Sequence, residues 1–523
     1  MGMANLLPQL DQLSQELHWS TLLNPLLLCV LLLSVLLLFK LRNGSSGKSK
    51  LKLPPSPPGL PLIGNLHQLG SLPHQSLRAL SQKYGPLMLL RLGQVPTLVV
   101  SSADMVREIT KNHDIAFCNR PKTIATDLFF SRCKDVVFTS YGEFWRQTRK
   151  LCVLELLSLK RVQEFQFVRE GEATELVNRI RKASEKTGSS LNLSEMMVGT
   201  FNNVVSRCVV GKIFMEEDGS SKFGELTRKL NALLGEFTVG DFFPKFKWVD
   251  FHRGYVKRLV NTFMGLSVVF DQVIGEHKAV LGTQNESQTK DFVDILLRLQ
   301  KDDTLDFKLN VYDIKAILAD MFVAGTDTSS TGLEWLMAEL IRHPKVMKKA
   351  QEEVRSVVGK KSKIDMEDIS KMHYLKCVVK ETLRLHPPLP LLLPRETATS
   401  IELGGYHIPE NTKVFINAWA IQRDPSSWDM PEEFIPERFE NSSVDFKGQD
   451  FQFIPFGTGR RGCPGMTFGI ASIEYVTANL LYWFDFKLPE DGSLGKDLDM
   501  TEVYGLTACK KVPLRLVPIP YSP

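Results

Sequence analysis

Phe456-Gly457-Thr458-Gly459-Arg460-Arg461-Gly462-Cys463-Pro464-Gly465 sets one cysteine in a glycine-rich loop, beside two arginines. A helix-like apolar run, Met466 to Trp483, follows at once. The four glycines let backbone N–H groups come close to the sulfur. Pro464 suits a first helical position, so a helix is expected to start beside the cysteine. A helix N-terminus and neighbouring arginines both favour thiolate over thiol. A thiolate held in this way is a nucleophile or a metal ligand, and the loop alone leaves both open.

Gly457-x-Gly459-x-x-Gly462 also fits the dinucleotide-binding fingerprint, with a strand-like run (Phe451 to Phe456) before it and Asp485 about twenty residues on. Two features oppose that reading. The third glycine of such a turn lies inside the helix, where Pro464 would clash with the preceding turn. The tail after Asp485 is also too short for the remaining βαβ units.

The 523 residues would on length alone make about three domains of about 150 residues. Hydrophobic content of 43% and charge of 24% are those of an ordinary globular protein with a large core. The net charge of +5 is too mild, and the basic residues too little interleaved with aromatics, for a nucleic-acid partner. Cys29, Cys118, Cys133, Cys152, Cys208, Cys377, Cys463 and Cys509 are scattered without a C-x-x-C pair. That pattern argues against zinc ribbons, iron–sulfur clusters, c-type haem and a disulfide framework, and fits a reducing compartment.

From Leu22 to Phe39 the chain is almost wholly apolar, close to the length that spans a bilayer. No Lys or Arg precedes Lys40, whereas Lys40, Arg42, Lys48, Lys50 and Lys52 follow directly. The positive-inside rule then expects residues 1–20 in the lumen, an anchor over 21–41 and the rest in the cytosol. Residues 42–61 read as a basic, proline-rich linker whose Pro54-to-Pro61 stretch is stiff and extended. Beyond it helical periodicity dominates, with strand-like pieces such as Leu87–Leu92 and Thr97–Val100, and Asn285–Thr289 reads as a polar surface loop. No later stretch looks like a linker, so 62–523 is expected to be one large, mainly α domain with small β-sheets.

A helix is expected over about Val311 to Arg342, stopping before Pro344. In its middle, Ala324-Gly325-Thr326-Asp327-Thr328-Ser329 gathers poor helix formers whose hydroxyls can bond back and widen the turn. This is a packing notch, or a groove where a small ligand meets Asp327 and Thr328. In Lys380-Glu381-Thr382-Leu383-Arg384, Glu381 and Arg384 share a helix face and can pair, with Arg438 as a further partner.

Taken in order, these motifs make the chain from about 54 to 518 resemble the cytochrome P450 family of haem-thiolate monooxygenases. Trp145-Arg146-Gln147-Thr148-Arg149 resembles its W-x-x-x-R helix and Ala324–Ser329 its oxygen-binding motif. Glu381-x-x-Arg384 resembles its E-x-x-R pair, Pro436-Glu437-Arg438-Phe439 its P-E-R-F element, and Phe456–Gly465 its F-x-x-G-x-R-x-C-x-G loop. Asp241-Phe242-Phe243-Pro244 and the run Asn417 to Pro425 look like the plant A-type group.

The resemblance implies a P450 fold behind one N-terminal transmembrane helix, at the endoplasmic reticulum. It implies Cys463 as axial thiolate of haem b, with Trp145, Arg149, Arg395 and Arg461 at the propionates. Ala324, Phe456 and Gly465 would lie against the haem. Asp327 and Thr328 would deliver protons, while Glu381, Arg384 and Arg438 would brace the loop. The pocket would draw on Phe129, Leu391, Leu392, Leu393, Val503 and Leu506, and take a lipophilic terpenoid, alkaloid or phenolic. Electrons would come from NADPH through a membrane-bound reductase, with Arg146, Lys150 and Arg460 on the docking face. Two other functions compete: a haem-thiolate enzyme for ring closure, coupling or peroxide rearrangement without net hydroxylation, and a non-catalytic haem scaffold. The intact Asp327-Thr328 pair speaks against rearrangement and against a scaffold.

Overall fold

The computed structural model describes residues 29–30, 32–34, 51–129, 134–185, 190–214, 222–280, 291–301, 307–489, 495 and 498–522. The expected anchor over 21–41 lies outside these, apart from residues 29, 30 and 32–34, which are helical, and so does the 285–289 loop. None of the described helices is long and apolar enough to cross a membrane.

The two strand-like pieces form a hairpin, β1 (Leu87–Leu92) and β2 (Val95–Val100), with Leu87 opposite Val100. Two further strands extend it, β3 (Arg395–Glu396) and β4 (Lys413–Ile416), in the spatial order β1-β2-β4-β3. The β2–β4 pair is parallel and β4–β3 antiparallel. The proline stretch docks on this sheet: the Leu89 N–H donates to the Pro55 carbonyl and the Asn65 amide to Pro57.

Helices make up most of the rest. Those that position the site are α1 (Glu143–Leu151), α2 (Leu193–Val210), α3 (Tyr255–Val280), α4 (Val311–Arg342), α5 (His373–Leu385) and α6 (Met466–Trp483). A capping box opens α4, with Asn310 accepting from the Asp313 N–H and Asp313 from the Asn310 N–H. Pro344 stops it. Its buried residues lie on every side, the pattern of a helix run through the middle of a large core. Leu336 and Leu340 of α4, Leu375 and Val378 of α5 and Val476 and Leu480 of α6 share one apolar cluster. At the α4–α6 crossing, a Cβ on Gly332 would come within 3.2 Å of Ile473.

Two expectations about local structure change. The 324–329 stretch stays α-helical: the Thr328 hydroxyl does donate back to the Ala324 carbonyl (2.6 Å) and Ser330 to Thr326 (3.0 Å), but the turn does not open. The 451–456 run is turns, not a strand. Its backbone is spent on turns and on the Gln422 side chain: the Phe453 N–H donates to the Asp450 carbonyl, the Ile454 N–H to Gln422 Oε1, and the Ile454 carbonyl accepts from the Gly457 N–H. The dinucleotide reading loses the strand it needed.

Glu381 and Arg384 are both fully buried and pair through two parallel bonds of 2.7 and 2.8 Å. Arg438 and the Ile435 N–H also donate to Glu381 Oε1, at 3.0 and 2.8 Å. Arg384 spends its remaining N–H groups on the carbonyls of Gln422, Pro431 and Glu433. One helix is thereby tied to the 422–438 segment that precedes the cysteine loop.

At the C-terminal end of α3, both ring nitrogens of His277 have acceptors, the Val273 carbonyl and Asp291 Oδ2, each at 2.8 Å. Only imidazolium donates twice. The Asp291 bond raises its pKa to about 9, against the opposing effect of burial. The folded value lies above the ordinary one, so this bond stabilises fully below pH 6.5 and is lost as pH rises through about 9. The ring is 15% exposed, and with solvent screening about 1–2 kcal/mol is at stake. His277→Asn is expected to flatten that pH dependence in urea unfolding between pH 6 and 10; parallel wild-type and variant curves would refute it.

Candidate active site

The cysteine loop is shaped by its glycines. Gly457 and Gly459 have φ of +67° and +68°, and a Cβ on Gly459 would sit 2.9 Å from Asp114 Oδ1. A side chain there would be strained and crowded. The Cys463 N–H donates to the Phe456 carbonyl (2.8 Å), which closes the loop and turns the sulfur toward the interior. The following helix begins at Met466 with Gly465 as its N-cap, so Pro464 sits just before the first turn.

That sulfur forms part of the wall of a cavity of about 260 Å3. On its side stand Phe456, Gly462, Cys463 and Gly465, and on the α4 side Ala324, Gly325, Thr328 and Ser329. Val205 and Val209 of α2, Leu230, Leu234, Phe292 and Phe468 make much of the remainder apolar. Cys463 is exposed by surface area yet lies deep in the protein, so its open surface faces the cavity. Burial raises its pKa, opposed by the Gly465 N–H and by Arg149. The charge beside the sulfur is therefore Arg149 of α1, not the adjacent Arg460, which turns outward to Asp114 (3.2 Å).

Four arginines, Arg120, Arg149, Arg395 and Arg461, also line the cavity. Arg461 donates to the carbonyls of Cys118 (2.7 Å) and Thr139 (2.6 Å), and its guanidinium lies 4.1 Å over the Trp145 ring. Its Nη1 is buried without a partner. Burial lowers the Arg461 pKa to about 10, and Arg395 adds to the fall. Arg120 is also depressed, by burial first and then by Arg461 and Arg395. Arg395 is partly balanced by Asp114 (3.2 Å) and donates to the Thr458 carbonyl, and Arg149 donates to the Gly462 carbonyl. Trp145 Nε1–H is spent on the Val136 carbonyl (3.0 Å). The cluster is left with surplus positive charge and an orphaned donor, a setting made for an anion.

Of the other site residues expected from sequence, Leu392, Leu393 and Leu506 line the cavity. Leu391 instead packs in a small core with Leu77, Met88 and Leu90, and Val503 is 46% exposed on a hairpin. Phe129 ends a short helix, and its side chain lies outside the described residues. Asp327 is off the cavity wall, with Oδ2 accepting from the Thr507 hydroxyl (2.8 Å). Burial raises its pKa, and that bond works the other way.

The family model for cytochrome P450 matches residues 54–509. The chain belongs to the cytochrome P450 family. It is 54% identical to the phenylacetaldehyde oxime monooxygenase of Prunus mume, with all of both chains covered. It is also 53% identical to a cytochrome P450 (71A1) of Persea americana over 87% of this chain and 91% of that one. Among solved structures, a zebra fish cytochrome P450 with abiraterone superposes with a TM-score of 0.72 at 27% identity, covering 86% of this chain and all of that one. The protein is thus an oxidoreductase of the P450 monooxygenase family, its cofactor is protoporphyrin IX haem, and its relatives include plant enzymes of specialised metabolism.

The cavity fits that cofactor. It offers a thiol sulfur for iron, an orphaned Arg461 donor for propionate carboxylates and an apolar wall for the ring. Two residues are not singled out by the sequence, Asp320 entering only as part of the 320–328 stretch that the resemblance puts on the pocket wall. Arg120 donates to the carbonyls of Val137, Leu393 and Pro394, so it ties three segments together at the cavity. Asp320, one turn before Ala324, accepts from the Val136 N–H (2.9 Å) and is raised well above the usual carboxylate range by burial and then by Asp135. A lone carboxylate within Ala316–Val323, an otherwise apolar run, was the available signal for Asp320.

Proposed function

We propose that this P450 inserts one oxygen atom from O2 into a lipophilic plant specialised metabolite of terpenoid, alkaloid or phenolic type. The observation that carries this reading is the placement of Cys463 and Thr328 on the walls of one largely apolar cavity. Cys463 would ligate the iron, and Arg120, Arg149, Arg395 and Arg461 would hold the propionates. Trp145 backs Arg461 through its ring face. Bound haem supplies the reductive activation of O2 and the insertion into a C–H bond.

The chain's own residues do the rest. Thr328 presents its hydroxyl oxygen to the cavity while its proton bonds the Ala324 carbonyl, so that oxygen is free to accept and pass on a proton. Asp327, beside it on α4, supplies the proton from the buried flank. Val205, Val209, Leu392, Leu393 and Leu506 exclude water and orient an apolar substrate. Electrons come from NADPH through a diflavin reductase, docking on the basic face of Arg146, Lys150 and Arg460. The 21–41 segment anchors the catalytic domain to the cytosolic side of the endoplasmic reticulum, where a reductase in the same membrane can reach it.

Recombinant microsomes carrying the reductase test this. Turnover of a lipophilic plant metabolite is expected to need NADPH, reductase and O2 together. Turnover of an organic hydroperoxide with neither reductase nor O2 would replace the monooxygenase reading with rearrangement.

A further inference from the structure

Two short strands near the C-terminus, β5 (Glu502–Tyr504) and β6 (Ala508–Lys510), form a hairpin whose tip is Gly505-Leu506-Thr507. The strand leaving the tip is fixed through both backbone groups of Ala508. The Ala508 N–H donates to the Pro388 carbonyl and the Trp335 indole of α4 donates to the Ala508 carbonyl, each at 2.9 Å. Consecutive tip residues then point to different places. Leu506 enters the cavity, while the buried Thr507 sends its hydroxyl to Asp327 Oδ2 at 2.8 Å.

This is a specific arrangement for Asp327. No salt-bridge partner is found for it among the described residues, and a threonine hydroxyl takes that place. The titratable groups that face it are Glu334, further along α4, and Cys509 on β6. Glu334 is itself buried, accepting from the Ser194 hydroxyl and the Lys510 N–H, and its pKa is raised by burial. Neither neighbour offers a positive charge, so the hydroxyl is the group that opposes the cost of burying the carboxylate.

We propose that Thr507 is the positioning residue for proton delivery, holding the Asp327 carboxyl at the flank of α4 and releasing it toward the cavity by rotation of its own hydroxyl. The threonine bond favours the ionised carboxylate while it lasts. When it opens, the carboxyl is left buried without that donor, takes up a proton more readily, and is free to turn toward Thr328. Because Leu506 precedes Thr507 on the same rigid tip, a substrate pressing on Leu506 moves the hydroxyl that holds the acid. Proton supply is in this way tied to occupancy of the pocket. The proposal rests on the proton-delivery reading of Asp327 given above.

The test uses haem-loaded protein of Thr507→Val, which removes the hydroxyl at nearly constant shape, and Thr507→Ser, which keeps it. Infrared difference spectra over a pH series, with Asp327→Asn marking the carboxyl band, follow protonation of Asp327 independently of turnover. Thr507→Val is expected to raise the Asp327 midpoint by about one pH unit, about tenfold in proton affinity, and Thr507→Ser to restore it. Equal midpoints in wild type and Thr507→Val, or an equal shift in both variants, would overturn the role of Thr507. Hydrogen peroxide released per NADPH oxidised, measured with reductase, decides the underlying reading separately. If Asp327→Asn leaves its pH profile unchanged, Asp327 does not deliver the proton, whatever Thr507 does to its titration.

Discussion

Glu381→Ala is expected to leave almost no folded, haem-loaded protein. The substitution removes the acceptor of two bonds from Arg384, one from Arg438 and one from the Ile435 N–H. Arg384 is fully buried and cannot reach water to recover what it loses. Breaking a buried pair by deleting one partner costs about 3–5 kcal/mol, against a total stability of about 5–15 kcal/mol. The loss falls where α5 meets the 422–438 segment, so the cysteine loop loses its support together with the core. Arg384→Lys is also expected to fail, because one ammonium cannot serve both Glu381 oxygens and three carbonyls at once. Haem content per protein and the urea midpoint are the measurements. A Glu381→Ala protein with wild-type values for both would show that the network braces nothing.

The extent of the major elements was readable in advance because their signals are local. The helix over 311–342 has a cap, an apolar run and a terminal proline, and each acts within a few residues of itself. The hairpin over 87–100 is two short apolar runs, mostly buried on both faces, and only its second strand starts earlier than expected, at Val95. What the sequence hid was the direction in which side chains point. Leu391, Leu392 and Leu393 look equivalent as letters, yet Leu391 joins the sheet-side core while its two neighbours line the cavity. Leu392 takes a positive φ of 51°, and such a kink reverses the alternation that a plain apolar run would suggest. Thr507 was invisible for a related reason, since its partner lies 180 positions away and only the folded hairpin brings them together. The arginines were legible as charges but not as a cluster. Arg460 and Arg461 are adjacent, yet one faces Asp114 and the outside while the other faces the cavity.

Cys463 carries the central claim. Its thiol is pushed up by burial, so in the metal-free protein it is no activated nucleophile. Across the cavity stand Ala324, Gly325, Thr328 and Ser329, and the one carboxyl on that helix among the described lining residues, Asp320, is engaged by the Val136 N–H. A cation bound in the cavity deprotonates such a sulfur outright, and a thiolate ligand pushes electron density onto iron. Serine at this position has the same shape and removes only the sulfur. Cys463→Ser is therefore expected to fold, keep the Glu381–Arg384–Arg438 network, and lose thiolate ligation entirely. The direct measurement is the carbon monoxide difference spectrum of the reduced protein. Wild type is expected to give the strongly red-shifted Soret band of a thiolate-ligated haem, and Cys463→Ser to give none of it. The same red-shifted band in Cys463→Ser, or its absence from haem-loaded wild type, would contradict the account.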